Sequence, residues 1–184
     1  GKPLMAHCIS RTPRIAAGFT NAMQVTNVLI HEIDQFRWLF GEELVRGQML
    51  AARNTAFAAD GLNDPQLALM WTESNILIDV ECSVNSYYGY GMEIVCEKGT
   101  IRLPLPAEPI VRSRLKVGNE IIDNWAERFP EAYDNELQHW INHLRGIEPT
   151  AGPGSKDGFA ACCIADAMIA SQTSGKVEAV NFDM

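Results

Sequence analysis

Five short runs rich in Val, Ile and Met, at 44–53, 66–72, 75–85, 91–103 and 110–117, are punctuated by clusters of turn residues. The separators are Gly61-Leu62-Asn63-Asp64-Pro65, Glu73-Ser74-Asn75, Lys98-Gly99 and Val117-Gly118-Asn119. Consecutive strands joined by short turns predict an antiparallel meander. A further strand at 4–11 ends at Thr12-Pro13, because the residue before proline is driven into extended backbone. Residues 16–24 are small and polar and suggest a loop, and 26–40 suggest a helix stopped by Gly41 in a left-handed cap. Two helices close the chain. Pro130 suits a first helical turn, and Phe129, Tyr133, Leu137, Trp140, Ile141 and Leu144 recur at helical spacing up to Gly146. After a Pro- and Gly-containing linker at 148–154, a second helix is predicted over 156–173. Grouped strands with helices at both ends predict one α+β domain over 1–184: a mostly antiparallel, open-faced sheet with helices packed on one face. The other face must be solvated or lie against something else.

The chain has 184 residues, enough to bury a core, and its 47% hydrophobic and 21% charged residues argue against disorder. No apolar run approaches the roughly 20 residues of a membrane span, and no secretory leader is expected. A net charge of −8 disfavours binding to a phosphate backbone, so no nucleic-acid partner is expected. The five cysteines, Cys8, Cys82, Cys96, Cys162 and Cys163, are odd in number and form no CxxC pair. They suggest reduced thiols in a cytoplasmic protein, with neither a disulfide framework nor a metal site. The opening Gly1-Lys2-Pro3, without Met, suggests a fragment whose missing part precedes it.

The most informative stretch for chemistry is 27–40. At about 100° per residue, Asn27, His31, Asp34 and Trp38 share a stripe, while Leu29, Ile33, Phe36 and Phe40 fall opposite and form a core face. A carboxylate near an imidazole raises its basicity and orients it, as a general base requires. The same stripe also fits a solvated helix face with Asn27 as N-cap. A second candidate is Tyr87-Tyr88-Gly89-Tyr90-Gly91, where Tyr88 and Tyr90 share one side of a strand and could offer hydroxyls to a polyol. An aromatic strand end packed on the sheet fits equally. His139 and His143 have i,i+4 spacing but lack the Glu of HExxH, which favours a solvated face. The glycine-rich 152–158 follows a helix and misses GxGxxG, which excludes dinucleotide binding there. Trp71 and Trp125 suit core or interface positions.

From His31-Glu32-Ile33-Asp34 and Arg37-Trp38-Leu39, the chain resembles the C-terminal domain of the glucose–fructose oxidoreductase/inositol dehydrogenase (Gfo/Idh/MocA) family, nearest its inositol dehydrogenase branch. Arg11-Thr12-Pro13, Tyr88-Gly89-Tyr90, Glu97-Lys98-Gly99-Thr100, 129–137 and Asp157-Gly158 resemble further landmarks of that domain, in order. The resemblance implies a two-domain NAD(P)-dependent dehydrogenase of a cyclic polyol or sugar such as myo-inositol. Its dinucleotide-binding Rossmann domain, which would hold NAD or NADP, is absent from this chain. By family position His31 matches the catalytic base and Asn27 its acidic partner. Asp34, Tyr90 and Tyr88 match substrate contacts, as do Ser10, where inositol dehydrogenases usually carry His, and Arg11. The open sheet face implies a homodimer or homotetramer contact. An amide at Asn27 cannot carry the charge that stabilises imidazolium, so a non-catalytic sugar-binding or scaffold protein of the same fold is the alternative.

Overall fold

The computed structural model describes residues 1–103, 111–113, 116–118, 125–149 and 152–183, with no side-chain description at 111–113, 116–118, 125 and 128. In chain order the elements are β1 Pro3–Arg11, α1 Asn21–Gln24, a π-helical turn Val25–Leu29, α2 Ile30–Phe40 and β2 Leu44–Ala51. Then come β3 Gln66–Thr72, β4 Leu77–Ser83, β5 Gly89–Cys96, β6 Gly99–Leu103, β7 Val111–Ser113 and β8 Lys116–Gly118. The chain ends through α3 Trp125–Arg128, α4 Pro130–Leu144, α5 Ser155–Ser174 and β9 Glu178–Ala179.

The sheet is open and mostly antiparallel, as expected, in the order β6-β5-β1-β4-β3-β2-β9. It is not a plain meander. Only β2-β3-β4 and the hairpin β5-β6 follow chain order, and β1 inserts between β5 and β4, pairing parallel with β4. A parallel pair needs a long crossover, and α2 with the β2–β4 meander supplies it. The 91–103 run divides into two strands at Glu97-Lys98, and the 110–117 run yields the separate ribbon β7-β8, with Ile110 outside the described residues.

Strand alternation sorts the sheet's faces. Ala6, Cys8, Ala68, Met70, Ile78, Val80 and Cys82 are buried on one face, where Val25, Leu29, Ile33 and Phe36 cover them together with Ile164 and Met168 of α5. Each fully buried Leu, Ile or Phe contributes about 1.5–3 kcal/mol. Phe40 is partly buried and stacks on Phe36 at 5.7 Å. Helix α5 approaches β2 so closely that a Cβ on Gly47 would lie 2.2 Å from Met168 Sδ.

The 16–24 loop ends sooner than the sequence suggests. Thr20, not Asn27, is the N-cap, its Oγ1 accepting from Met23 N at 3.2 Å. The helix therefore starts at Asn21 and passes through a π-turn that contains Asn27 before reaching α2. Its far end is as expected, with Gly41 at φ 64° and its N–H bonded to Arg37 O at 2.9 Å.

On the opposite sheet face, half-exposed Met5, Ile9, Leu67, Leu69 and Trp71 surround paired charges. His7 Nδ1 lies 2.5 Å from Asp79, and Arg46 covers the Trp71 ring at 5.1 Å. On α4, Tyr133, Leu137, Trp140 and Leu144 are all exposed. Trp125's side chain lies outside the description. Cys8 and Cys82 are buried, whereas Cys162 is exposed.

Candidate active site

His31 leaves the first turn of α2 toward solvent, at the mouth of a cleft of about 440 Å³ between α2 and the start of α5. Asp34, Pro153, Gly154, Asp157 and Cys162 share its walls. A neighbouring cleft of about 770 Å³ also takes in Asp34, Pro153 and Asp157, and adds Arg37, Trp38 and Glu43. Asp34 thus stands where the two meet. The i,i+3 spacing that put His31 and Asp34 on one stripe survives folding.

A salt-bridge cluster fixes this end of the cleft. The Arg37 guanidinium, whose side chain is only 9% exposed, donates to both oxygens of Glu43 at 2.7 Å. It also reaches Asp157 O at 3.3 Å and Asp34 Oδ1 at 3.4 Å. Asp157 in turn caps α5, accepting from Gly154 N at 2.8 Å. That backbone bond, with the Arg37 charge behind it, holds the Asp157 carboxyl below the usual range. One arginine therefore ties the end of α2 to the start of α5 across the cleft.

The remaining predicted residues divide. Asn27 is exposed one turn before His31, its Oδ1 accepting from Thr26 Oγ1 at 2.8 Å. Ser10 is buried on the helix-covered face of β1, directly across the ladder from Tyr90 of β5. The Tyr90 hydroxyl donates to Gln35 Oε1, and burial pushes its acidity well below that of a free phenol. Tyr88 precedes β5 and lies near enough to act on Tyr90 electrostatically. Tyr90 therefore flanks α2 on the β5 side, whereas the walls of the His31 cleft come from α2, α5 and the residues just before α5. Arg11 is not brought to the cleft. It projects from the opposite sheet face, donating to both Glu81 oxygens at 2.7 Å.

Two residues beneath the site escaped the sequence reading. Glu32 follows His31 but points into the sheet, 1% exposed, set against Ser10 and with Oε2 unpartnered. Burial raises its carboxyl from 4.5 to about 7. Gln35, the acceptor for Tyr90, is the other. The signal was present for Glu32, which sits one turn after Leu29 and one before Phe36 on the core face. His139 and His143 do what a helix end needs: both rings meet Glu148, at its Oε2 (2.6 Å) and its backbone O (3.2 Å) respectively. Among the described residues no cluster of three or more His, Cys, Asp or Glu could hold a metal.

Comparison with known proteins assigns this architecture. Residues 20–181 match the family described as "Oxidoreductase family, C-terminal alpha/beta domain". The chain is 43% identical over 179 residues to an inositol 2-dehydrogenase of Serratia proteamaculans, covering 96% of this chain and 53% of the relative. With the Azotobacter vinelandii inositol 2-dehydrogenase it shares 42% over 182 residues, or 98% and 54% of the two chains. The myo-inositol dehydrogenase of Lactobacillus casei, solved with NAD(H) and myo-inositol, superposes with a TM-score of 0.92 at 34% identity, over 98% of this chain and 55% of that one. The chain thus spans about half the length of the relatives it matches. It belongs to the Gfo/Idh/MocA oxidoreductase family, as that family's C-terminal α/β domain.

Proposed function

We propose that this chain is the substrate-side half of an NAD(P)-dependent dehydrogenase that oxidises a secondary hydroxyl of a cyclic polyol, myo-inositol being the first candidate. The observation that carries the reading is the pairing of His31 and Asp34 on one edge of α2, both facing one cleft. An exposed imidazole there can take the hydroxyl proton, and Asp34 can accept a hydrogen bond from a neighbouring hydroxyl. Tyr90 bonds Gln35 on the helix's other flank, with Ser10 across the ladder from it.

The described residues offer no glycine-rich turn of dinucleotide-binding type. The glycine-rich 152–158 stretch follows α4 and is spent on capping α5 through Gly154 and Asp157. The nicotinamide would therefore be held by a separate Rossmann domain, and no step on it is assigned to residues here. The open sheet face, with its apolar side chains around neutralised charge pairs, suits a contact between copies of the chain, as dimer or tetramer. A cytoplasmic location fits the free thiols, and no helix among the described residues is long and apolar enough to cross a membrane.

Asn27 favours a second reading, a polyol-binding protein of this fold without turnover, because an amide cannot stabilise imidazolium as a carboxylate would. Polyol-dependent NAD(P) reduction by the full-length protein decides between them. Saturable reduction with a cyclic polyol supports the dehydrogenase. Polyol binding without reduction, in both the natural protein and N27D, supports the second reading.

A further inference from the structure

Beneath the cleft, four polar side chains close a ring. Ser10 and Tyr90 face each other across the β1–β5 ladder, and Glu32 and Gln35 stand one turn apart on α2 above them. Glu32 sits against Ser10, and Gln35 accepts from Tyr90. Two strands and one helix are thereby fixed at two points, which determines the roll of α2 about its own axis. We propose that Glu32 is a positioning residue for His31: with the Gln35–Tyr90 bond, its contact with Ser10 sets the direction in which the imidazole leaves the helix. The inference rests on the reading of His31 as the base.

Below about pH 7 Glu32 is the neutral acid. It is 1% exposed and its Oε2 has no partner, an arrangement that penalises a carboxylate far more than a carboxylic acid. The titratable groups facing it are Cys8 of β1, Cys82 of β4 and Tyr90 of β5, and all three are held protonated by burial at neutral pH. No cation is among them. On the α5 side, the charged group meeting α2 is Asp157, already engaged by Arg37. Ionising Glu32 therefore places an uncompensated charge inside the ring. The ring must then open or admit water, and the roll of α2 changes with it.

The test is a pH titration of the full-length protein and E32Q from about pH 5 to about pH 9, a range that brackets the raised carboxyl. Tyr90 and His31 ring signals are followed by NMR alongside polyol kcat and KM. In the natural protein the Tyr90 signals step as Glu32 ionises, since Tyr90's own hydroxyl stays protonated throughout. In E32Q that step is lost, and the matching inflection in kcat disappears while KM persists. Tyr90 signals that stay flat in the natural protein, or a step that survives in E32Q, overturn the proposal. An absence of turnover with every polyol would defeat the dehydrogenase reading instead, and the Tyr90 step would still decide the clamp.

Discussion

Replacing Glu32 by Gln should change how stability depends on pH by an amount that its burial fixes. The folded protein holds this carboxyl at about 7 against 4.5 when exposed, with burial the largest cause and the contact with Ser10 acting against it. A raised acid favours the folded state while it is protonated. Its contribution is fully present below the unfolded value of 4.5 and is lost as pH climbs toward about 7, because the unfolded chain releases its proton first. At about 1.4 kcal/mol for each tenfold change in proton affinity, the loss amounts to about 3 kcal/mol. Gln cannot ionise, so E32Q lacks this loss whatever its baseline stability. The difference in unfolding free energy between natural protein and E32Q should therefore move by about 3 kcal/mol between pH ~4 and pH ~8, in favour of E32Q at the higher value. Urea denaturation at both pH values measures it, and for a domain of this size the matching change in relative Tm is roughly 6–12 °C. A difference that stays constant with pH would mean that Glu32 ionises freely in the folded protein, and the argument from burial would fail.

Phe36, fully buried and stacked on Phe40, should cost about 3–5 kcal/mol as F36A, read by urea denaturation. G47A should cost about 1–3 kcal/mol by the same measurement, because its Cβ meets Met168, which is itself fully buried. On the open sheet face, L69R should shift the sedimentation coefficient toward the monomer while leaving the circular dichroism intact. An unchanged assembly would place the contact elsewhere. N27D should raise turnover if His31 is the base, because a carboxylate one turn away stabilises imidazolium.

Local chemistry was legible in the sequence and long-range pairing was not. Gly41 announced the end of α2 through its need for positive φ, and the turn clusters at 61–65 and 73–75 bounded β3 and β4. The insertion of β1 beside β4 has no local signature, since the same alternating strand could pair with either neighbour. The π-turn was equally hidden, because its hydrogen bonds differ from those of an α-helix by one residue and tertiary packing selects them. Among site residues, the His31–Asp34 stripe followed from helical period alone. Ser10 and Arg11 could not both face the cleft, because neighbours on a strand point to opposite faces. The apolar spacing of α4 correctly gave a helix, but spacing says nothing about what covers it.

Steady-state kinetics of H31A in the full-length protein test most directly whether His31 is the proton acceptor. In this variant kcat for cyclic-polyol oxidation should fall by roughly 10² or more while the KM for polyol changes little, as loss of a general base produces. A kcat that matches the natural protein would contradict it.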